Sequence, residues 1–172
     1  TVDGGTQIVT SGTYRASGGF AGGRIDITAT EVRLLSATLD ASGGTQGGLV
    51  RVGGAFQGGK DKTNSPEIDA TFVTRWGTLP TIRSAETTFI NDGTRIAVAG
   101  GQTGGTAIVW SDRETTMLGA IKATGALSAG SVEISSAETL RRASLVNVEL
   151  GAGGQLLLDP KNIIVGDPAT VS

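Results

Sequence analysis

GGRIDIT at residues 22–28, GGLVRVG at 47–53, GGTAIVW at 104–110 and AGSVEIS at 129–135 are versions of one phrase: two small residues, then a short run in which apolar side chains alternate with others. GGTQIVT (4–10) and GGQLLLD (153–159) extend the series. The spacing is close to 25 residues wherever nothing is inserted. Self-similarity at a fixed period is the mark of a solenoid, in which each repeat buries its neighbour's apolar face. Strict alternation sends every second side chain of a strand to the same side. The inward set is then Ile25 and Ile27, Val50 and Val52, Ala107 and Val109, Val132 and Ile134, and Leu156 and Leu158. Stacked about 4.8 Å apart, these residues form aliphatic ladders. The positions between them, Asp26, Arg51, Ile108, Glu133 and Leu157, point outward. Asp26 is expected beside Arg51 as an exposed pair contributing about 0.2–1 kcal/mol.

A second phrase runs in phase with the first: SGTYRASG (11–18), SATLDASG (36–43), DGTRIAVAG (92–100), LGAIKATG (118–125) and the looser VNVELGAGG (146–154). Short apolar stretches such as TEVRLL (30–35), TTMLG (115–119) and AETLRRASL (137–145) lie between the two. Each period therefore holds three short strands joined by glycine-rich corners. Glycine costs roughly 0.5–1 kcal/mol relative to alanine in regular structure, so its return at every corner implies a need. Tight corners with positive φ, where a Cβ would strike the next coil, supply that need. A nucleotide-binding reading of the GG pairs fails because no helix follows any of them. A β-sandwich also gives alternating strands but predicts no internal repeat. The expected fold is all-β, a right-handed parallel β-helix with coils of about 25 residues and one long insertion.

Composition agrees. Of 172 residues, 38% are hydrophobic but only 4% aromatic, and 28 are glycine. A core without large rings is filled by Val, Leu and Ile, worth roughly 1.5–3 kcal/mol each on burial, which suits thin stacked layers. Fourteen basic and sixteen acidic residues give a net charge of -2 with no basic stripe, so nucleic acid is a poor partner. Without cysteine or histidine, thiolate zinc sites, imidazole ligands and Ser-His or Cys-His triads are excluded. Lack of cysteine also fits a chain that crosses the periplasm. No stretch approaches the roughly 20 apolar residues of a membrane helix, so membrane insertion is not expected, and a signal peptide is expected only upstream of TVDGGTQIVT.

The period breaks once. From Gly47 to Gly104 the interval is 57 residues, one coil plus about 32 more, and the surplus centres on GGKDKTNSPEIDATFVTRWGTLPTIRSAETTF (58–89). This stretch holds Pro66 and Pro80, the charges Lys60, Asp61, Lys62, Glu67 and Asp69, and the rings Phe72, Trp76 and Phe89. Residues 60–89 are read as an irregular insertion that projects from the coils or caps them, part of it able to supply one more irregular coil. Long loops on rigid scaffolds carry binding. Trp76 beside Arg75 suits stacking on a sugar ring or anchoring a protein interface; with Asp69, Asp61 and Phe72 they form the candidate contact. The alternative is that Phe72 and Trp76 fold back over a coil face.

Enzymatic chemistry has a weaker basis. A β-helix polysaccharide lyase or glycosidase is the alternative function, and hydrolysis needs two carboxylates roughly 5–9.5 Å apart. Asp61, Glu67 and Asp69, or Asp112 and Glu114, are the neighbours available. Charges beside a corner are usually just solvated, so no catalytic residue is assigned. DPKN (159–162) and GDP (166–168) offer oxygen ligands for calcium, but Asp-Pro is foremost a turn former. Neither metal nor cofactor is assigned.

LLSATLDASGGTQGGLVRVGGAFQGG (34–59), SAETTFINDGTRIAVAGGQTGGTAIVWSDRETTMLGAIKATG (84–125), GSVEISSAETL (130–140) and GGQLLLDPKNIIV (153–165), in this order, resemble the β-helical passenger region of filamentous-haemagglutinin-like exoproteins, the adhesins of two-partner secretion. The likeness spans residues 30–167, with GGTAIVWSD and LLLDPKNIIV its most specific strings. The resemblance implies a secreted or surface-attached fibre on the exterior of a Gram-negative bacterium. Such a fibre adheres to surface glycans or to host or bacterial cell-surface proteins, and a dedicated outer-membrane transporter exports it. It implies no catalytic set, so residues 1–172 are expected to be one β-helix segment of a larger exoprotein and not an enzyme. Two features depart from the family pattern. The amino-terminal secretion domain that the transporter recognises is not evident in the sequence, and the insertion around 60–83 is longer than usual.

Overall fold

The structure, a computed structural model, describes residues 1–59, 79–80, 82–143 and 148–166. Its strands fall into three sheets. The first contains Val2–Asp3 (β1), Arg24–Thr28 (β4), Leu49–Val52 (β7), Thr106–Val109 (β10), Ser131–Ile134 (β13) and Gln155–Leu157 (β16). The second contains Gln7–Thr10 (β2), Glu31–Leu34 (β5), Thr87–Ile90 (β8), Glu114–Met117 (β11), Thr139–Ala143 (β14) and Asn162–Gly166 (β17). Thr13–Arg15 (β3), Thr38–Asp40 (β6), Arg95–Ala97 (β9), Ala120–Lys122 (β12) and Val148–Glu149 (β15) make the third. The chain visits the three sheets in turn, and every strand pairs in parallel with its counterpart one coil away. The result is a parallel β-solenoid of about six coils, each of about 25 residues.

The ladders form as the alternation requires. Ile25 pairs with Val50, Val50 with Ala107, Ala107 with Val132 and Val132 with Leu156. The second sheet contributes Val32, Leu34, Ile90 and Met117 to the same core, and the third contributes Leu39, Ile96 and Ile121. Two polar residues, Thr88 and Thr115, take inward places in the second sheet and are buried. Their hydroxyls are satisfied by the corner beside them, Thr88 donating to the Trp110 carbonyl and Thr115 to the Ser135 carbonyl, each at 2.8 Å.

Two expectations are corrected. GGTQIVT does not align with GGRIDIT, because Gln7–Thr10 pairs with Glu31–Leu34 in the second sheet, and Val2–Asp3 takes the place beside Ile27 and Thr28. Gln7 stands only 17 residues before Arg24, too short a step for one coil. Positive φ, in turn, is found at Gly5 and Gly153 of the outer pairs but not at the inner corners, where Gly22, Gly47, Gly48, Gly104 and Gly105 lie outside that region. These inner glycines are required by close approach alone. A Cβ on Gly105 would sit 2.7 Å from the Gly47 carbonyl carbon and 2.7 Å from the Gly48 nitrogen, rigid backbone of the neighbouring coil.

The insertion leaves this lattice undisturbed. Leu49–Val52 pairs directly with Thr106–Val109, and Glu31–Leu34 with Thr87–Ile90, so no further coil lies between them. The excursion leaves between β7 and β8 and closes at its neck, where Ala85 N–H donates to the Gly53 carbonyl at 2.6 Å.

Candidate functional site

The outer face of the first sheet is where the insertion meets the coils. Alternation places Asp26, Arg51, Ile108 and Glu133 on that face, and the register sets them in one row across successive coils. The sequence pattern alone predicts exposure there. Instead Asp26 is 1% exposed, Arg51 0%, Ile108 1% and Glu133 2%, because residues from both ends of the insertion lie over them.

The outgoing end covers the later coils. Phe56 packs with Ile108 and Trp110, with Ala137 and Leu157 against the group, as a small apolar core outside the solenoid. The Trp110 indole lies against Gly54 and Gly58, where any Cβ would meet the ring, and its Nε1 donates to Asp112 at 3.1 Å. Gln57 sits at φ 47°, ψ 38°, a left-handed conformation that costs a non-glycine residue roughly 1–2 kcal/mol. In that position its backbone N–H donates to both Glu133 oxygens at 3.1 Å, and its side-chain amide donates to Asp159 at 2.8 Å. One residue thus ties the insertion to two coils.

The returning end covers the earlier coils. Arg51 donates from Nη2 to the Pro80 carbonyl at 3.2 Å, and Thr28 donates to the Arg83 carbonyl at 2.6 Å. Ile82 and Ala85 are buried. Arg83 pairs with Asp3 at 2.6 Å and also donates to the Gly5 carbonyl. Beneath this limb, Arg51 Nε meets Asp26 at 2.8 Å, Arg24 approaches the same carboxylate at 3.1 Å, and the Thr1 hydroxyl donates to it at 3.0 Å. Burial pushes the Asp26 carboxyl up, but the Arg51 hydrogen bond and charge, with Thr1 and Arg24, outweigh that and hold it below the usual carboxylate range.

The candidate contact residues Trp76, Arg75, Asp69, Asp61 and Phe72 lie outside the described residues, as does Glu67. Phe89 stands in β8, with the Arg33 guanidinium 4.8 Å from its ring centroid. Of the other acidic neighbours, Asp112 accepts from Trp110, and Glu114 pairs with Arg141 at 2.9 Å. Among the described residues no group of three or more acidic side chains is placed to hold a metal ion, and Asp159 of DPKN is engaged by Gln57. Sequence reasoning missed Phe56, Gln57, Trp110 and Arg83 as anchors. A signal was present: Ile108 and Leu157 are apolar at outward positions, and Trp110 follows close behind Ile108.

The geometry defines a β-solenoid that carries one long excursion anchored at both ends on an outer sheet face. No family model matches the chain, and no curated protein matches it. Among solved structures it is similar to the crystal structure of the HMW1 secretion domain from Haemophilus influenzae, at a TM-score of 0.56 and 26% identity. That likeness covers 94% of this chain and 36% of the other, so the chain spans little more than a third of the structure it matches. Among the described residues no helix is long and apolar enough to cross a membrane.

Proposed function

We propose that this chain is a structural and adhesive module of a secreted or surface-attached bacterial adhesin exported by two-partner secretion. The observation that carries this reading is the likeness, over nearly the whole chain, to a secretion domain built on the same kind of coil stack, a domain the sequence pattern alone had not made evident. The regular coils supply reach and stiffness, and the insertion, held at both roots, supplies contact. On this reading the outer-membrane transporter is the export partner, a surface glycan or cell-surface protein is the target, and the parent protein works outside a Gram-negative cell. The chain has no catalytic role in this proposal.

The test is a screen of the purified chain against glycans and cell surfaces, run beside its Trp76→Ala variant. The reading expects saturable binding that weakens on removal of Trp76, by about 2 kcal/mol where that ring is a hot spot, with the melting temperature unchanged. Lost stability with unchanged binding would instead make Trp76 a covering residue and leave the module structural. New reducing ends or unsaturated products from incubated polysaccharides would overturn the non-catalytic reading.

A further inference from the structure

The two ends of the insertion hold the coils by different forces. At the outgoing end Phe56 joins Ile108 and Trp110 in an apolar group, and all three side chains are more than nine-tenths buried. Lifting that end would return them to water, which the hydrophobic effect opposes at any ionic strength. At the returning end the contacts are polar. The Thr28 hydroxyl donates to the Arg83 carbonyl and the Arg51 guanidinium to the Pro80 carbonyl. Arg83 pairs with Asp3, and these two side chains are 41% and 53% exposed. Among the described residues of this end, Ile82 is the one large apolar side chain that is buried.

What lies beneath differs as well. The returning end covers Asp26 and Arg51, a charged pair with almost no contact with water. Such a pair carries a desolvation penalty that is relieved when water returns. The Thr28 hydroxyl and the two carbonyls also find water as an alternative partner, so their hydrogen bonds are exchanged and not simply lost. Lifting is therefore opposed chiefly by Ile82 and by an exposed ion pair, the kind of contact that salt screens. Local opening is drawn from such weakly held parts of a fold.

We infer that the returning end is a salt-sensitive release point. Pro80, Ile82 and Arg83 lift from the first sheet while the outgoing end stays docked, uncovering Asp26, Thr28 and Arg51. The coils beneath keep their shape, because β4, β7 and β10 pair with one another and not with the insertion. This release goes beyond the adhesive reading and is independent of what the excursion contacts.

The chain has no cysteine, so one introduced thiol reports exposure at one place. Thr28→Cys sets a thiol beneath the returning end, Ile82→Cys sets one on that end, and Ala55→Cys sets one on the outgoing end; all three positions are buried. Alkylation by iodoacetamide, an uncharged reagent, is followed by mass spectrometry from about 0.01 M to about 1 M sodium chloride, over which the screening length falls from about 30 Å to about 3 Å. The thiols at 28 and 82 should react faster as salt rises, and the thiol at 55 should not. Asp3→Asn, added to Thr28→Cys, should speed labelling at low salt by up to about fivefold, the effect of losing one exposed pair. It should also flatten the dependence on salt. Circular dichroism spectra that match the parent's establish that each variant is folded. Thiols at 28 and 55 that respond to salt alike, or labelling at 28 that neither salt nor Asp3→Asn accelerates, would overturn the inference.

Discussion

Asp26→Asn removes one charge from the outer face of the first sheet and changes almost nothing in shape. Asp26 and Arg51 are both essentially inaccessible, and their contact is 2.8 Å. Breaking a buried pair from one side costs about 3–5 kcal/mol, because the surviving charge keeps its desolvation cost and loses this carboxylate. Arg24 approaches the same carboxylate but is nearly a third exposed, so water replaces much of what it loses. For a chain of this size, at about 2–4 °C per kcal/mol, the melting point should fall by about 6–20 °C. The pair Asp26→Leu with Arg51→Met should recover part of the loss, since it removes both charges of the pair but also the hydrogen bond to Pro80, worth about 1 kcal/mol. The same residue sets an acid limit. Its folded pKa lies below the ordinary value, so its contribution is complete above about pH 4, the usual aspartate range. The contribution then fades as pH falls from there through the lower folded pKa. Thermal and urea unfolding followed by circular dichroism from pH 2 to 7 measures both effects. A variant within about 1 kcal/mol of the parent at neutral pH, or as acid-sensitive as the parent, would refute the buried-pair account.

Glu133→Ala, on a side chain that points outward, should nevertheless cost about 1–3 kcal/mol, because it strips the acceptor from the Gln57 N–H; Val132→Asp or Ile134→Asp, one residue away on the inward side, should collapse the stack. Gly105→Ala should destabilise by about 1–3 kcal/mol, since backbone blocks its methyl group, whereas Gly19→Ala, with nothing within 4 Å, should melt like the parent. Trp110→Ala should cost about 3–5 kcal/mol and open residues 53–59 to proteolysis, which mass mapping of the first cleavage sites would detect.

Alternation along each strand is enough to place Ile25, Val50, Ala107 and Val132 in one inward ladder, because the side of a strand is a local property. Two phrases and the stretches between them mark all three sheets for the same reason. GGTQIVT misleads because its pattern matches the first sheet while its distance from GGRIDIT matches no whole coil; spacing, not pattern, carries the information. The burial of Arg51 and Glu133 is hidden more deeply. Alternation says which way a side chain points and nothing about what lies over it, and the cover comes from Pro80 and Gln57, 29 and 76 residues distant. The anchoring of the insertion is therefore illegible at the positions it protects, and only the misplaced apolarity of Ile108 and Leu157 betrays it.

The two roots of the insertion also determine how the molecule would answer a pull. One root grips the coils of Glu133 and Asp159 and the other those of Asp3 and Thr28, while Gly53 and Ala85 join them at the neck. Tension applied to the excursion is shared among several separate coils before it reaches any single strand. Hydrogen bonds in several coils then resist together, and no one coil is peeled away first. A tether attached to residues between the roots should thus load the coils of Glu133, Asp159, Asp3 and Thr28 together.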